Sequence, residues 1–378
     1  MKSYKGLLIP FWFGVFTLLL SCSNDDEGIE DTSVSNFPSY SVIGENFQGV
    51  FQFNYDGLDE SGQLINLTEE NNVLREYLTL RQVSETLTFF IFSAGKFSAV
   101  QRNYITGETN FVNEFYTDSN ERSVIWGATS ESQIFMANYS PRGSTNFGVR
   151  IIDLVTQEEE DLIVDFDVNN VYQPLYLNGR LFLGYMDSNS NHKLAVVDTN
   201  LNTLIRTFDF GQFAPSIFIA KDKNIGIISG NNSSDYSFTL YDISSLEPIQ
   251  EESLIINRFF SPGAIQTQAE FANNGLYYLN FYFQPSPISF GPAYYDFVQK
   301  ENTIIDMVSI AQEVQDEIGI PLEISAFDYE EESDTFLVGY TTFESPDLLK
   351  GGILIISREG ELLLREALDF APDYFIRQ

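Results

Sequence analysis

The sequence has one cysteine and one histidine in 378 residues. A single thiol cannot make an internal disulfide framework, and one thiolate with one imidazole cannot build a structural zinc site. A histidine relay has no spare, and His192 itself falls in an Asn/Ser-rich turn, a poor setting for a general base. Basic residues are also scarce: 20 Lys+Arg against 54 Asp+Glu leave a net charge of −34. That excludes a nucleic-acid binder, which needs a basic face to displace phosphate counterions. It equally excludes a broad patch for anionic lipid. Gly-x-Ser-x-Gly and Gly-rich phosphate loops are missing, and no EF-hand spacing occurs. These absences name no catalytic residue, no metal ligand and no cofactor, so the chain reads as a non-enzyme.

One long apolar run is present, and it lies at the start. Lys2 and Lys5 precede Gly6–Leu20, which is too short for a comfortable transmembrane helix. It reads as a signal peptide over 1–21, and it ends Leu19-Leu20-Ser21-Cys22. That ending resembles the lipobox of bacterial lipoproteins, which implies that the lone cysteine, Cys22, is a lipidation site. Residues 22–38 are rich in Ser, Asn, Asp and Glu and read as an acidic flexible tether. The body, 39–378, reads as one domain.

That body repeats. Two apolar or aromatic residues followed by a polar one recur at Tyr55-Asp56, Val100-Gln101, Ile152-Asp153, Val197-Asp198, Tyr241-Asp242, Tyr295-Asp296 and Ile356-Ser357, in steps of 45, 52, 45, 44, 54 and 61. Short β-branched and aromatic runs precede most copies, bounded by Asn, Gly, Asp and Ser, which is strand chemistry. Four short strands per 40–50 residues predict an all-β chain folded as a β-propeller, with seven blades, or six or eight as alternatives. The 34 Phe and 20 Tyr suit the wedges between blades. The C-terminal Phe370-Ala371-Pro372 matches the internal Phe213-Ala214-Pro215, the start of an innermost strand. The first copy lacks such a strand, so the last strand is expected to complete the first blade. Apolar spacing over 304–318, stopped by Gly319 and Pro321, predicts a helical insertion on the rim.

Function concentrates in loops on rigid scaffolds. The face built from second-to-third-strand and blade-to-blade connections carries long loops at 140–147, 188–192, 231–236 and 282–295. The starts of the inner strands offer Arg75, Arg122, Tyr172, Gln173, Gln266 and Gln268, with Tyr374 on the closing strand. Ser216 and Glu323 stand at like positions. Arg75 and Arg122 could bind an anionic or catechol-like ligand by charge and stacking. Each could equally pair with a surface carboxylate.

Leu19–Cys22 resembles the lipobox of bacterial lipoproteins, and Ser23-Asn24-Asp25-Asp26-Glu27 resembles the export signal of Bacteroidota surface lipoproteins. With the blade phrases, the chain resembles surface-exposed β-propeller lipoproteins of that group, some of which accompany TonB-dependent receptors. The resemblance implies an outer-membrane protein anchored through Cys22 and facing the extracellular side. Its implied role is to capture a small-molecule nutrient, such as a ferric siderophore, for a TonB-dependent transporter. The alternatives are a propeller hydrolase or lyase acting on a sugar or lactone through carboxylates with Ca²⁺, and a protein-interaction scaffold in the envelope.

Overall fold

Among the described residues, twenty-nine strands fall into seven antiparallel sheets, and the chain visits them in order. The computed structural model describes residues 37–377, apart from residues 76 and 221 and segments 231–234, 257–268, 283–284 and 346–347. The first sheet orders its strands Ala371–Ile376, Tyr40–Glu45, Val50–Asp56 and Ser61–Asn66. Blade two begins at Thr79–Val83, blade three at Ser123–Thr129, and blade four at Val168–Val171 and Leu175–Leu177. Blade five begins at Ser216–Ile219, blade six at Ala269–Ala272 and blade seven at Leu322–Glu330. The architecture is the expected seven-bladed β-propeller.

The closing strand pairs antiparallel with the first: Ser41 faces Ile376, Val42 faces Phe375 and Ile43 faces Tyr374. The register slips between Ile43 and Gly44. Gly44 is required there. A Cβ at this position would sit 2.1 Å from the Ala371 carbonyl oxygen, so any side chain would push the closing strand away.

Each sheet is too small to bury its own faces, so burial is achieved between blades. Among the described residues, the buried apolar side chains form seven clusters, one per seam. One spans blades one and two around Phe89, and the next joins two and three around Phe90 and Met136. Others join three and four around Phe147, four and five around Phe182, and five and six around Phe238. Tyr277 and Tyr329 stack at 3.5 Å in the seam between six and seven. Tyr40, Phe51 and Phe375 meet Leu337 and Ile353 between one and seven. Seven seams for seven blades make a closed ring with no free edge at the join.

Among the described residues, two helices interrupt the sheets. Helix α1 (Leu67–Asn71) follows the outer strand of blade one and was not legible in the sequence. Helix α2 (Met307–Ile318) is the expected insertion, starting three residues late because Glu301–Ile304 forms the outer strand of blade six. Asp306 caps its first turn and Gly319 ends it in the left-handed conformation. Its buried face, Met307, Ile310, Ala311 and Val314, covers the seam between blades six and seven. No described helix is long and apolar enough to cross a membrane.

Candidate functional site

The inner strands end at a chamber of about 1080 Å³ on the ring axis. Its wall is made of strand ends and first-to-second-strand turns: Gln82–Glu85, Ser130–Ser132, Tyr176–Asn178, Ala220 with Lys223, and Asp328–Glu331. It therefore opens on the face opposite the loops singled out from the sequence. The turns between third and fourth strands lie on this same face. They hydrogen-bond to the first-to-second-strand turns of their own blades, as Tyr104 N to Glu85 O, Leu154 N to Ser132 O and Thr199 N to Gly179 O.

The closing strand forms the floor. Tyr374 donates its hydroxyl to Gln82 Oε1 at 3.0 Å, and the Arg377 backbone N–H donates to the same oxygen at 3.0 Å. Gln82 Nε2 returns a bond to the Arg377 carbonyl at 2.5 Å. The Arg377 guanidinium then reaches across the axis. It donates to Ile219 O of blade five at 3.3 Å and to Ala269 O of blade six at 3.5 Å, and lies 3.8 Å from Asp328 Oδ1 of blade seven. One side chain near the C-terminus thus ties blades five, six and seven to the closed first blade, and its backbone holds blade two.

Asp328 is buried, and it shares the chamber wall with Glu270 of blade six. Burial raises the Asp328 pKa above the ordinary carboxylate range; Arg377 opposes the rise without cancelling it. Burial also works to lower the Arg377 pKa, but Asp328 and Glu270 outweigh it and hold the guanidinium charged.

One layer deeper lies Arg81. It bonds to Thr79 Oγ1 and to the Leu80 carbonyl, the latter at 2.7 Å. Across the channel, the Gln173 amide is best oriented with its oxygen toward these donors, accepting from Arg81 Nη1 at 2.6 Å and Nη2 at 3.0 Å. Among the described residues, no carboxylate pairs with Arg81 within salt-bridge distance. Burial pushes its guanidinium down to about 9, with Tyr374 pulling the other way.

Of the residues chosen from the sequence, Gln173 and Tyr374 meet in this hub. Arg75 and Arg122 do not share a site. Arg75 donates to Phe47 O at 3.1 Å and lies over the Phe47 ring. Arg122 pairs with Asp161 at 2.5 Å and with Glu121 at 3.6 Å. Arg122 thus has the carboxylate partner that the surplus had left open, whereas Arg75 takes a backbone carbonyl and an aromatic ring instead. Tyr172 bonds through its hydroxyl to His192 Nδ1 at 2.7 Å, with the two rings stacked. Gln266, Gln268 and Cys22 lie outside the described residues, as do parts of the loops at 231–236 and 282–295. The residues that sequence reasoning missed are Arg81, Gln82, Glu270, Asp328 and Arg377. Their signal was a charge inside an apolar strand, as in Thr79-Leu80-Arg81-Gln82-Val83 and Ala326-Phe327-Asp328-Tyr329.

Among the described residues no group of three His, Cys, Asp or Glu is placed to hold a metal ion. The lining instead combines six carboxyl residues, Glu85, Glu131, Glu270, Asp328, Glu330 and Glu331, with two cations, Lys223 and Arg377. Tyr40, Tyr104, Tyr176, Tyr329 and Tyr374 add aromatic surface.

The fold and chamber define a seven-bladed propeller with a polar axial cavity. No family model matches the sequence, and no curated protein does. Similar solved structures include a puromycin-hydrolyzing peptidase of Mycobacterium tuberculosis, with a TM-score of 0.50, 9% identity, and coverage of 90% of this chain and 55% of that one. A prolyl endopeptidase gives 0.46 and 8% over 76% of this chain and 42% of its own. TolB from Acinetobacter baumannii gives 0.41 and 10%, covering 88% and 79%. The chain therefore spans about half the length of the peptidases it matches. Identities this low speak for the fold alone.

Proposed function

We propose that this chain is a capture module of the cell envelope that takes a small, polar, net-cationic solute into the axial chamber. The observation that carries the reading is the lining: six carboxyl residues against two cations, with tyrosines among them. Carboxylates and tyrosine faces together recognise organic ammonium groups by charge and by cation–π contact. The same balance weighs against an anionic ferric siderophore, because the guanidinium that reaches the chamber, Arg377, is already matched by Asp328 and Glu270. The lipobox-like Leu19–Cys22 supports an anchor at Cys22 on the outer face of the outer membrane, from which the solute passes to a TonB-dependent transporter.

Calorimetric titration of the purified protein with spermidine tests this. Binding should weaken as salt rises, and Glu131→Gln with Glu331→Gln should reduce affinity at least tenfold. Tight binding of anionic chelates with no response to spermidine would overturn the reading.

A second reading rests on the buried Asp328, which shares the chamber wall with Glu270. A carboxyl whose pKa burial raises is what a general acid needs, and it favours a hydrolase or lyase acting on a sugar or lactone. Turnover of a lactone or glycoside that disappears in Glu270→Gln would move the assignment there.

A further inference from the structure

The most solvent-exposed large apolar side chains are not scattered. Among the described residues, five of the six most exposed are Val155 (82%), Val298 (76%), Leu58 (74%), Leu201 (70%) and Ile105 (64%). All five lie in the turn between third and fourth strands, in blades three, six, one, four and two respectively, with Leu201 one residue further along its turn than the others. The cause is local. An Asx oxygen caps the turn by accepting the backbone N–H of the apolar residue itself: Asp56 for Leu58, Asn103 for Ile105, Asp153 for Val155, Asp198 for Leu201 and Asp296 for Val298. Capping needs only the backbone N–H of that residue, so nothing in the turn asks for an aliphatic side chain there. Blade five shows as much, with the polar Ser244 receiving the same cap from Asp242.

These tips share the chamber's face, since their turns are bonded to the turns that wall it. Ile105 itself lines the chamber. The chain also enters the ring here. Gly57 N donates to Ser39 Oγ at 3.1 Å, and a Cβ at Gly57 would lie 1.7 Å from the Phe37 carbonyl oxygen, so Phe37 lies against the turn that carries Leu58.

We propose that the chamber face is the docking surface for a protein partner that offers apolar pockets rimmed by Lys and Arg, and that the five aliphatic tips are its anchors. Charge selects this occupant. The tips stand among carboxylates, with Asp59 and Glu60 beside Leu58, Glu158 near Val155, and Glu85 and Glu131 at the chamber rim. A bilayer carrying anionic headgroups would be repelled by that field, whereas a basic protein rim would be drawn to it. Docking there would bring the partner over the chamber mouth. The inference does not depend on which solute the chamber takes.

The test is photo-crosslinking in the native cell, with a benzoyl-phenylalanine placed singly at Val155, Leu201 or Val298. The control position is Ile255, equally exposed at 79% but at the opposite end of its blade. The three chamber-face positions should trap one and the same polypeptide, and Ile255 should not. The yield at Leu201 should fall at least tenfold when Val155→Asp and Val298→Asp are added, with thermal unfolding unchanged. Equal trapping at Ile255, adducts with lipid, no adduct at all, or sedimentation of the purified protein with phosphatidylglycerol vesicles would each overturn the proposal.

Discussion

Truncating Phe375 to alanine puts the ring's closure to a quantitative test. Phe375 is 1% exposed and lies on the closing strand, paired with Val42. Its ring meets Tyr40 edge-on at 6.2 Å, inside the cluster that joins blades one and seven. The strand is held by backbone bonds that the substitution leaves alone, so the loss is the side chain's burial plus the cavity left behind. Removing a buried Phe in this way costs about 3–5 kcal/mol. Native proteins are stable by only about 5–15 kcal/mol, so the effect is large. Urea unfolding followed by tryptophan fluorescence measures it directly, with Phe375→Leu as the milder variant should the alanine form not fold. Leu363→Ala, on the outer strand of blade seven and 41% exposed, is the control, expected to cost less than about 1 kcal/mol. A loss at Phe375 no larger than the control's would mean that the strand is not seated as described.

Two further outcomes follow from the chemistry. Burial raises the Asp328 pKa, so between the ordinary aspartate value and the raised one the native state binds more protons than the unfolded chain. The contribution of Asp328 to stability therefore falls as pH rises through that window and is level above it. Asp328→Asn should remove this slope, so that the variant gains on the parent from pH 4 upward; parallel pH profiles for the two proteins would contradict it. Cys22→Ala should release the protein from the membrane fraction, and retention there would refute the proposed anchor.

The blade repeat was legible because its marker is turn chemistry rather than core packing. Asp56, Asp153, Asp242 and Asp296 each cap a turn by accepting backbone N–H groups, so a carboxylate at a fixed offset after a strand is visible in any reading of the sequence. Where the cap changes identity, the repeat blurs. In blade two it is Asn103, two residues beyond the Gln101 that the apolar phrase points to. The closing strand was legible for a similar reason, since Phe370-Ala371-Pro372 repeats an internal phrase. The hub was not. Gln82, Glu270, Asp328 and Arg377 are far apart in sequence and meet only where the strand ends of five different blades, counting Ile219, converge on the axis. Arg75 and Arg122 looked alike because they precede like strands, yet side-chain partners, not strand position, decide where a guanidinium goes.

The account turns on the axial chamber as the seat of binding, and a crystal structure of the protein grown with spermidine looks at it directly. The account predicts a polyamine lying between the carboxylates of Glu131 and Glu331, over the tyrosine faces and above Arg377. An empty chamber, with spermidine bound instead among the loops of the opposite face, would contradict it.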